Sequence, residues 1–533
     1  MKIIFITGGT VSGLGKGVTT ASIGKLLQSS GLKVGVIKMD PYLQVDAGTM
    51  SPYEHGEVFV TEDGGETDLD LGNYERFLNI FLGKANNITT GKVYSNVIDK
   101  ERAGGYLGKT VQIIPHITNE IKESIINIAK ENDVTLVEVG GTVGDIESLP
   151  FLESIRQFKR DIGAENVFYI HITLLLKLDF SGEIKTKPIQ HTVIKLREYG
   201  IQPNMLVCRT DGSISQKHID KISMLCDLDP ENIIEGKNVS TIYDVPEKFR
   251  NQNVDNIIMN HFGYKNKSSD LKKWNSLVGN IINPNKHITI GIVGKYTEFE
   301  DTYKSVIESL IHAGAFNDTK ININWIDAEI LENEFYSEKL DKFREDEKLD
   351  GILIPGGFGS RGIEGMINAV TYARTRNIPF LGICLGMQVA VIEYARNVLG
   401  IKDANSGEFN NKCKNKVINI MDSQKDIKNL GGTMRLGSYE AILTKGSLAE
   451  KLYNRNKISE RHRHRYEVNV NYHNDLMKAG LSLSGLSPDK KLVEFVEINA
   501  NNFFIATQAH PEFKSCLEKP HPLFLGLIKN SIK

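Results

Sequence analysis

Residues 3–27 read IIFITGGTVSGLGKGVTTASIGKLL. A short apolar run, 3–7, meets a glycine-rich turn that holds Lys16, and a helix-like stretch follows through Leu26 and Leu27. Strand, glycine turn and helix make a phosphate-binding layout. Glycines let backbone N–H groups turn inward, the helix N-terminus adds positive potential, and Lys16 supplies a mobile cation. The usual phosphate-loop string places Ser or Thr straight after the lysine, as a Mg²⁺ ligand. Here Gly17 follows Lys16, and the glycine spacing is longer by one. Gly13, Gly15 and Gly17 do not space as G-x-G-x-x-G, so a dinucleotide site fits worse. A glycine turn with no ligand is the competing reading.

Working outward, similar apolar runs occur at 34–38, 134–139, 167–172 and 205–207, with helical segments between them. Continuous apolar strands alternating with helices predict a parallel sheet covered on both faces. The polar, turn-rich stretch 265–287 reads as a linker. Alternation restarts at 288–293 and continues at 321–326, 351–354 and 379–383, while lysine-rich 413–429 reads as a surface loop. The predicted fold is α/β: two domains, 1–264 and 288–533, each with a mostly parallel helix-covered sheet. A chain of 533 residues is long enough for both.

With no serine or threonine after Lys16, Mg²⁺ must find carboxylates elsewhere. Asp68 and Asp70 lie in TEDGGETDLDLG, and Glu138 closes an apolar strand beside glycines, where open parallel sheets bind ligands. Asp68 reads equally well as a solvated loop acid. Lys185 and Lys187, flanking Thr186, suit a second phosphorylated ligand or a plain solvated loop.

The second half carries IPFLGICLGMQVAVIEYA at 378–395. Gly382-Ile383-Cys384-Leu385-Gly386 is a nucleophile elbow, whose glycines allow a sharp turn that pushes the nucleophile out of the sheet. The helix N-terminus favours thiolate. QAHPEF supplies His510 as general base and Glu512 to orient it. The amides of Gly357, in PGGFG, and Leu385 suit an oxyanion hole. The other four cysteines lack such flanks and read as ordinary thiols. RHRHRYEVN at 461–469 suggests a nucleic-acid patch, or an arginine that holds a substrate carboxylate.

Lys plus Arg number 64 against Asp plus Glu 66, a balance that argues against a dedicated nucleic-acid binder. The opening apolar run stops at Gly8, and no later run reaches spanning length. A soluble, cytoplasmic protein with reduced thiols and neither nucleic-acid nor membrane partner is expected.

Taken with KMDPYLQVDAGTMSPYEHGEVFVTEDGGETDLDLG, QIIPHIT, VEVGGTVGDIESLPF, GEIKTKPIQH, GGTMRLG and HPEF, these motifs resemble the CTP synthase family over nearly the whole chain. The resemblance implies a synthetase (amidoligase) domain that uses ATP with Mg²⁺ to phosphorylate the UTP 4-oxygen. A class I glutaminase domain would release the ammonia that displaces the phosphate, and no organic prosthetic group is implied. It implies Lys16 and Lys38 as catalytic lysines and Asp70 and Glu138 as metal ligands. ATP contacts would be Gly13, Leu14, Gly15, Lys16, Gly17, Val18 and Asp70, with Lys237, Asn238 and Val239 at adenine. UTP or CTP contacts would be Ser12, Asp145, Ile146, Glu147, Lys185, Thr186, Lys187, Pro188, Ile189, Gln190 and Lys221. Around Cys384, His510 and Glu512, it implies glutamine contacts from Gly357, Leu385, Gly386, Met387, Gln388, Glu408 and Arg465. His55 would line the ammonia passage. GTP as activator, CTP as feedback inhibitor and a homotetramer built as a dimer of dimers are also implied.

Two alternatives stand beside it. Another phosphate-loop amidoligase with a glutaminase domain would amidate a carboxylate without turning over UTP. A nucleotide-switched structural ATPase needs no glutaminase, so the elbow and HPEF count against it.

Overall fold

The structure is a computed structural model that describes residues 1–9, 11–177, 184–265, 269–297, 300–421, 424 and 431–532. Residues 181–183 of the GEIKTKP motif region, 266–268 of the expected linker, and 422–423 and 425–430 of the lysine-rich stretch lie outside the described residues. Two compact units are present: residues 1–47 and 70–278 form the first, and residues 48–69 and 279–533 the second.

The main sheet of the first unit has seven strands: β1 (Lys2–Gly8), β2 (Val34–Asp40), β3 (Asn87–Thr89), β4 (Val134–Val139), β5 (Val167–Leu174), β6 (Met205–Thr210) and β7 (Ile233–Lys237). They pair in the order β7-β6-β5-β1-β4-β2-β3, and every pairing is parallel. The C-terminal ends of all seven strands therefore share one edge, where Gly8, Lys38 and Glu138 lie. Alternate residues Ile3 and Phe5 of β1 meet Ile37, Met39 and Val137 in one helical layer. Each such burial contributes about 1.5–3 kcal/mol.

The second unit holds β8 (Lys286–Gly294), β9 (Thr319–Asp327), β10 (Leu349–Ile354), β11 (Phe380–Ile383), β12 (Arg435–Leu443), β13 (Lys457–His464), β14 (Leu481–Leu486), β15 (Val493–Ile498) and β16 (Phe504–Thr507). Their order is β9-β8-β10-β11-β16-β15-β14-β12-β13. The first five are parallel, and the sheet then continues antiparallel. Strand–helix alternation predicts the parallel part; the antiparallel extension carries no such signature. Ile352, Ile354, Phe380 and Phe504 enter one core, while Leu353, Leu381, Ile383 and Ile505 enter the other. This period of two is what a sheet covered on both faces requires. Phe380 and Phe504 sit opposite each other in register and stack at 4.4 Å.

Two expectations need correction. The linker stretch 265–287 contains a helix, Lys272–Ile282. Its Trp274 is buried against Phe77 and Tyr243, with Nε1 donating to the Tyr243 carbonyl at 2.7 Å. One apolar face on a polar helix suffices for docking, so composition hides it. The lysine-rich stretch 413–429 contains a strand, Lys416–Ile420, paired with Tyr466–Val468. Among the described residues no helix is long and apolar enough to cross a membrane.

Segment 48–69 packs in the second unit because β13 alternates. Arg461 and Arg463 face the segment, bonding Glu62 at 2.9 Å and Glu66 at 2.8 Å. His462 and His464 face the other way, into a buried cluster where Arg435 pairs with Glu494 at 2.7 Å. Arg461 is fully buried. The RHRHR run is thus largely interior, not a nucleic-acid surface.

Candidate functional site

In the first unit, Gly13 and Gly15 both take left-handed φ, +73° and +80°, and a Cβ on either would meet nothing within 4 Å. The turn is shaped by conformation and its surroundings are open. Gly15 caps the helix Lys16–Ser29. Lys16 Nζ donates to the Gly141 carbonyl at 2.8 Å, joining this turn to the glycine loop after β4. Gly17 answers the question of the missing hydroxyl. A Cβ there would lie 1.9 Å from Asp70 Oδ1, so the carboxylate fills the space a side chain at 17 would need.

Asp70 belongs to a buried charge cluster. Lys38 Nζ pairs with Asp70 and lies 2.8 Å from Glu138 Oε1. Thr20 and Tyr74 hydroxyls donate to Glu138 Oε2, and Asn73 donates to Asp70 at 3.1 Å. Burial pushes Lys16 below the ordinary lysine value and Glu138 and Asp40 above the ordinary carboxylate value. Burial also raises Asp70, but the Lys38 ammonium more than offsets it and holds this carboxyl low. Among the described residues no group of three or more His, Cys, Asp or Glu is placed to hold a metal alone. Two carboxylates that need completion by phosphate oxygens are what Mg²⁺ with a nucleotide uses, so this donor set fits that ion.

The remaining first-unit candidates lie on segments that follow the strands of this sheet or, for Lys237, end one. Leu14 is buried, Val18 half-buried and Ser12 exposed. Asp145 accepts from the Thr142 amide at 2.7 Å, with Ile146 and Glu147 exposed beside it. Lys185 precedes the helix Lys187–Glu198, where Thr186 is buried at the N-cap, Gln190 donates back to it at 3.0 Å, and Pro188 and Ile189 form the first turn. Lys237 ends β7 and pairs with Glu235 at 2.9 Å; Asn238, bonded by Arg209, and Val239 follow. Lys221 is exposed on the helix Gln216–Cys226.

In the second unit, Cys384 adopts φ +51° and ψ −97° between β11 and the helix Leu385–Asn397. That left-handed, non-glycine conformation is a strained elbow. Its glycines serve packing: a Cβ on Gly386 would lie 2.2 Å from the Ile354 carbonyl oxygen, and one on Gly382 2.8 Å from the Gly386 backbone. Gly356 likewise admits His510, whose Cε1 lies 2.7 Å from the position of a Cβ.

His510 Nδ1 is 2.7 Å from Glu512 Oε1. Burial pushes the imidazole down, but the Glu512 carboxylate and the Cys384 sulfur push it up further, to about 10. His510, Glu512 and Cys384 line one cavity with Glu57 and Val58. Cys384 also lines a second cavity of about 320 Å³, with Gly357, Gln388, Glu408, Arg465 and Tyr466. Glu408 accepts from the Gly359 amide at 2.8 Å, and Arg465 donates to Thr433 at 2.9 Å. Lys295 Nζ holds the loop after Gly357 through the carbonyls of Phe358 and Gly359, and burial lowers it to about 8. Leu385 follows the nucleophile directly, whereas Gly386 and Met387 are packed behind it. His55 is exposed on the short helix Pro52–His55. By contrast, burial pushes the thiols of Cys208 and Cys226 up to about 12 and about 11.

The sequence reading missed Tyr74 and Gln508. Tyr74 is four residues after Asp70 on the helix Asp70–Leu78, a spacing that shares a face. Gln508 stands two residues before His510, and its Nε2 lies 3.6 Å from Cys384 Sγ.

The family descriptions "CTP synthase N-terminus" and "Glutamine amidotransferase class-I" match residues 2–264 and 298–530. A curated CTP synthase of Methanocaldococcus jannaschii is 60% identical over 532 residues, covering 100% of this chain and 98% of that protein. One of Carboxydothermus hydrogenoformans is 54% identical over 534 residues, covering 100% and 99%. The solved glutaminase domain of Trypanosoma brucei CTPS with bound acivicin is 41% identical, covering 46% of this chain and 93% of that one, at a TM-score of 0.43.

Proposed function

This chain belongs to the CTP synthase family, and from that premise we propose how its own residues divide the work. The enzyme is a ligase that aminates UTP to CTP with ATP and glutamine. Residues 1–264 carry the synthetase chemistry and 288–533 the glutaminase chemistry, with 265–287 between them. The observation that carries the reading is the pairing, in one chain, of a thiol–imidazole–carboxylate set with a lysine–carboxylate cluster under a glycine turn.

In the glutaminase, Cys384 Sγ attacks the side-chain amide carbon of glutamine. The amides of Gly357 and Leu385 hold the developing oxyanion. His510, charged opposite Glu512, gives its proton to the leaving ammonia, and a glutamyl thioester remains. Water, losing a proton to His510, then cleaves the thioester to glutamate and restores the thiol. Gln388, Glu408 and Arg465 hold the substrate's α-amino and α-carboxylate groups, supported by their sharing one cavity with Cys384.

In the synthetase, Lys16 and Lys38 neutralise phosphate charge as the γ-phosphoryl group passes from ATP to the UTP 4-oxygen. Ammonia adds at the ring carbon that bears this oxygen, the carbon–oxygen bond breaks to release phosphate, and the added nitrogen loses a proton. Asp70 and Glu138 would hold Mg²⁺ with ATP, which when bound offsets phosphate charge. Gly13 to Val18 cradle the phosphates, and Lys237, Asn238 and Val239 meet adenine. Lys185 to Gln190, Ser12 and Lys221 serve UTP, while Asp145 to Glu147 serve CTP as feedback inhibitor. His55 lines the ammonia route, and GTP activates. Exposed Leu107, Ile113, Ile114 and Ile146 support burial between copies in a tetramer, and the enzyme is cytoplasmic.

The test supplies UTP, ATP, Mg²⁺ and glutamine and looks for CTP. Amidation of a carboxylate without UTP turnover would sink the assignment.

A further inference from the structure

Among the side chains around Cys384, one buried polar group has no role so far. Gln508 is 1% exposed. Its Nε2 is 3.6 Å from Cys384 Sγ, and its Oε1 is 3.3 Å from Gln388 Nε2. Gln388 Nε2 also donates to the Tyr466 carbonyl at 3.0 Å.

We propose that Gln508 is a further catalytic residue of glutamine hydrolysis: its side-chain N–H donates to Cys384 Sγ and holds the sulfur as thiolate opposite the His510 imidazolium. The proposal rests on Cys384 being the nucleophile, as read above.

Which end of an amide faces which neighbour has to be argued from its partners. Here the main chain supplies the answer. The Tyr466 carbonyl can only accept, so the Gln388 atom beside it is the NH₂ group. The second hydrogen of that NH₂ can serve Gln508 only if Gln508 presents its oxygen. Gln508 is then turned with its own NH₂ toward the sulfur. The reverse orientation would set two NH₂ groups face to face and aim an oxygen lone pair at a thiolate. A backbone carbonyl thus fixes, through two amides in series, the polarity of the donor at the nucleophile. Such chains strengthen each bond they contain.

The main chain on both sides is also held. Gln508 N–H donates to the Glu494 carbonyl at 3.0 Å, and Cys384 N–H donates to the Thr507 carbonyl at 2.7 Å. The donor and the sulfur therefore belong to one rigid frame, the edge where β11 and β16 pair. The Arg463 carbonyl, 4.0 Å from Sγ, accepts the S–H of the neutral thiol. The site thus holds a hydrogen-bond partner for each protonation state, and of these two the Gln508 donor favours the charged one.

The test uses the full chain with Gln508→Glu, which keeps the shape and once ionised cannot donate, and Gln508→Met, which removes the polar end. Glutamine hydrolysis is measured as kcat and KM. Alkylation of Cys384 by iodoacetamide is followed against pH by mass spectrometry of its peptide. We expect kcat to fall about 10- to 100-fold, the factor a hydrogen bond to a charged group carries. KM should stay within about twofold in the Glu variant, which keeps the acceptor for Gln388 and loses only the contact with the nucleophile. The alkylation profile should move to higher pH, further for Glu than for Met, and rates should converge with the unaltered protein at high pH. Unmoved profiles in both variants overturn the proposal, and so does a parallel loss of rate at every pH, which marks a packing role. If the Met variant fails to fold by its melting curve, the near-isosteric Glu variant carries the test. Retention of glutamine hydrolysis by Cys384→Ala would overturn the underlying reading instead. Its loss, with unchanged Gln508 variants, would overturn this proposal alone.

Discussion

The two glycine turns of this chain look alike in sequence and use glycine for opposite reasons. Each follows a parallel strand and opens a helix. At the phosphate turn, Gly13 and Gly15 are needed for positive φ, and the space around them is open to a ligand. At the elbow, Gly382 and Gly386 are needed because neighbouring backbone lies where a Cβ would be, and the positive φ falls on Cys384 itself. Around Gly13 and Gly15 the first turn is kept clear of protein, although Asp70 fills the space beside Gly17; the second is a tightly packed mount that presents one side chain. The contrast explains how similar local patterns serve electrostatic binding in one unit and covalent chemistry in the other.

The sharpest way to break that comparison is to remove each working group. Cys384→Ala should lower glutamine-dependent CTP formation by at least about 10⁴-fold, as loss of a nucleophile does. Synthesis from added ammonium salt should persist, and loss of both in a folded variant would contradict two separate sites. Lys16→Ala should lower CTP formation from either nitrogen source by about 10²- to 10³-fold. Glutamine hydrolysis assayed alone should survive; full CTP formation would end the phosphate role.

The glycines provide a gentler test, read in melting curves. Gly386→Ala forces a Cβ against the Ile354 carbonyl and should cost about 1–3 kcal/mol of stability. Gly15→Ala meets no atom and should cost about 1 kcal/mol from left-handed strain. Equal costs would erase the distinction between packed and open turns.

The smallest effect expected is a pH dependence. His510 is raised from the ordinary 6.5 to about 10, with Glu512 and Cys384 overcoming burial. A raised pKa means the folded state binds the proton more tightly. Its stabilisation is therefore complete below the ordinary imidazole value and fades as pH rises through about 10. Glu512→Gln should reduce the melting temperature most at low pH within that window, with the two proteins converging above it. A gap that widens with pH would reverse the assigned sign.

Much of this was legible beforehand. The runs at 134–139 and 379–383 appear as strands Val134–Val139 and Phe380–Ile383, because unbroken apolar runs between glycines have few other solutions. With no hydroxyl after Lys16, the sequence offers Asp68, Asp70 and Glu138 as carboxylates, and of these Asp70 and Glu138 meet around Lys38. The helix carrying Trp274 was missed because a single apolar face is faint within a polar stretch. The excursion of 48–69 was missed because ion pairs such as Arg461 with Glu62 join residues remote in sequence.

The sequence by itself determined which chemistries are present: a cation in a glycine turn, a thiol in an elbow, an imidazole beside a carboxylate. These depend on residue type and near-neighbour spacing, which local sterics fix. Only the tertiary structure decided why Gly17 is glycine, and which end of Gln508 meets the sulfur. Both depend on atoms brought together across the chain, Asp70 filling one space and the Tyr466 carbonyl orienting the other through Gln388.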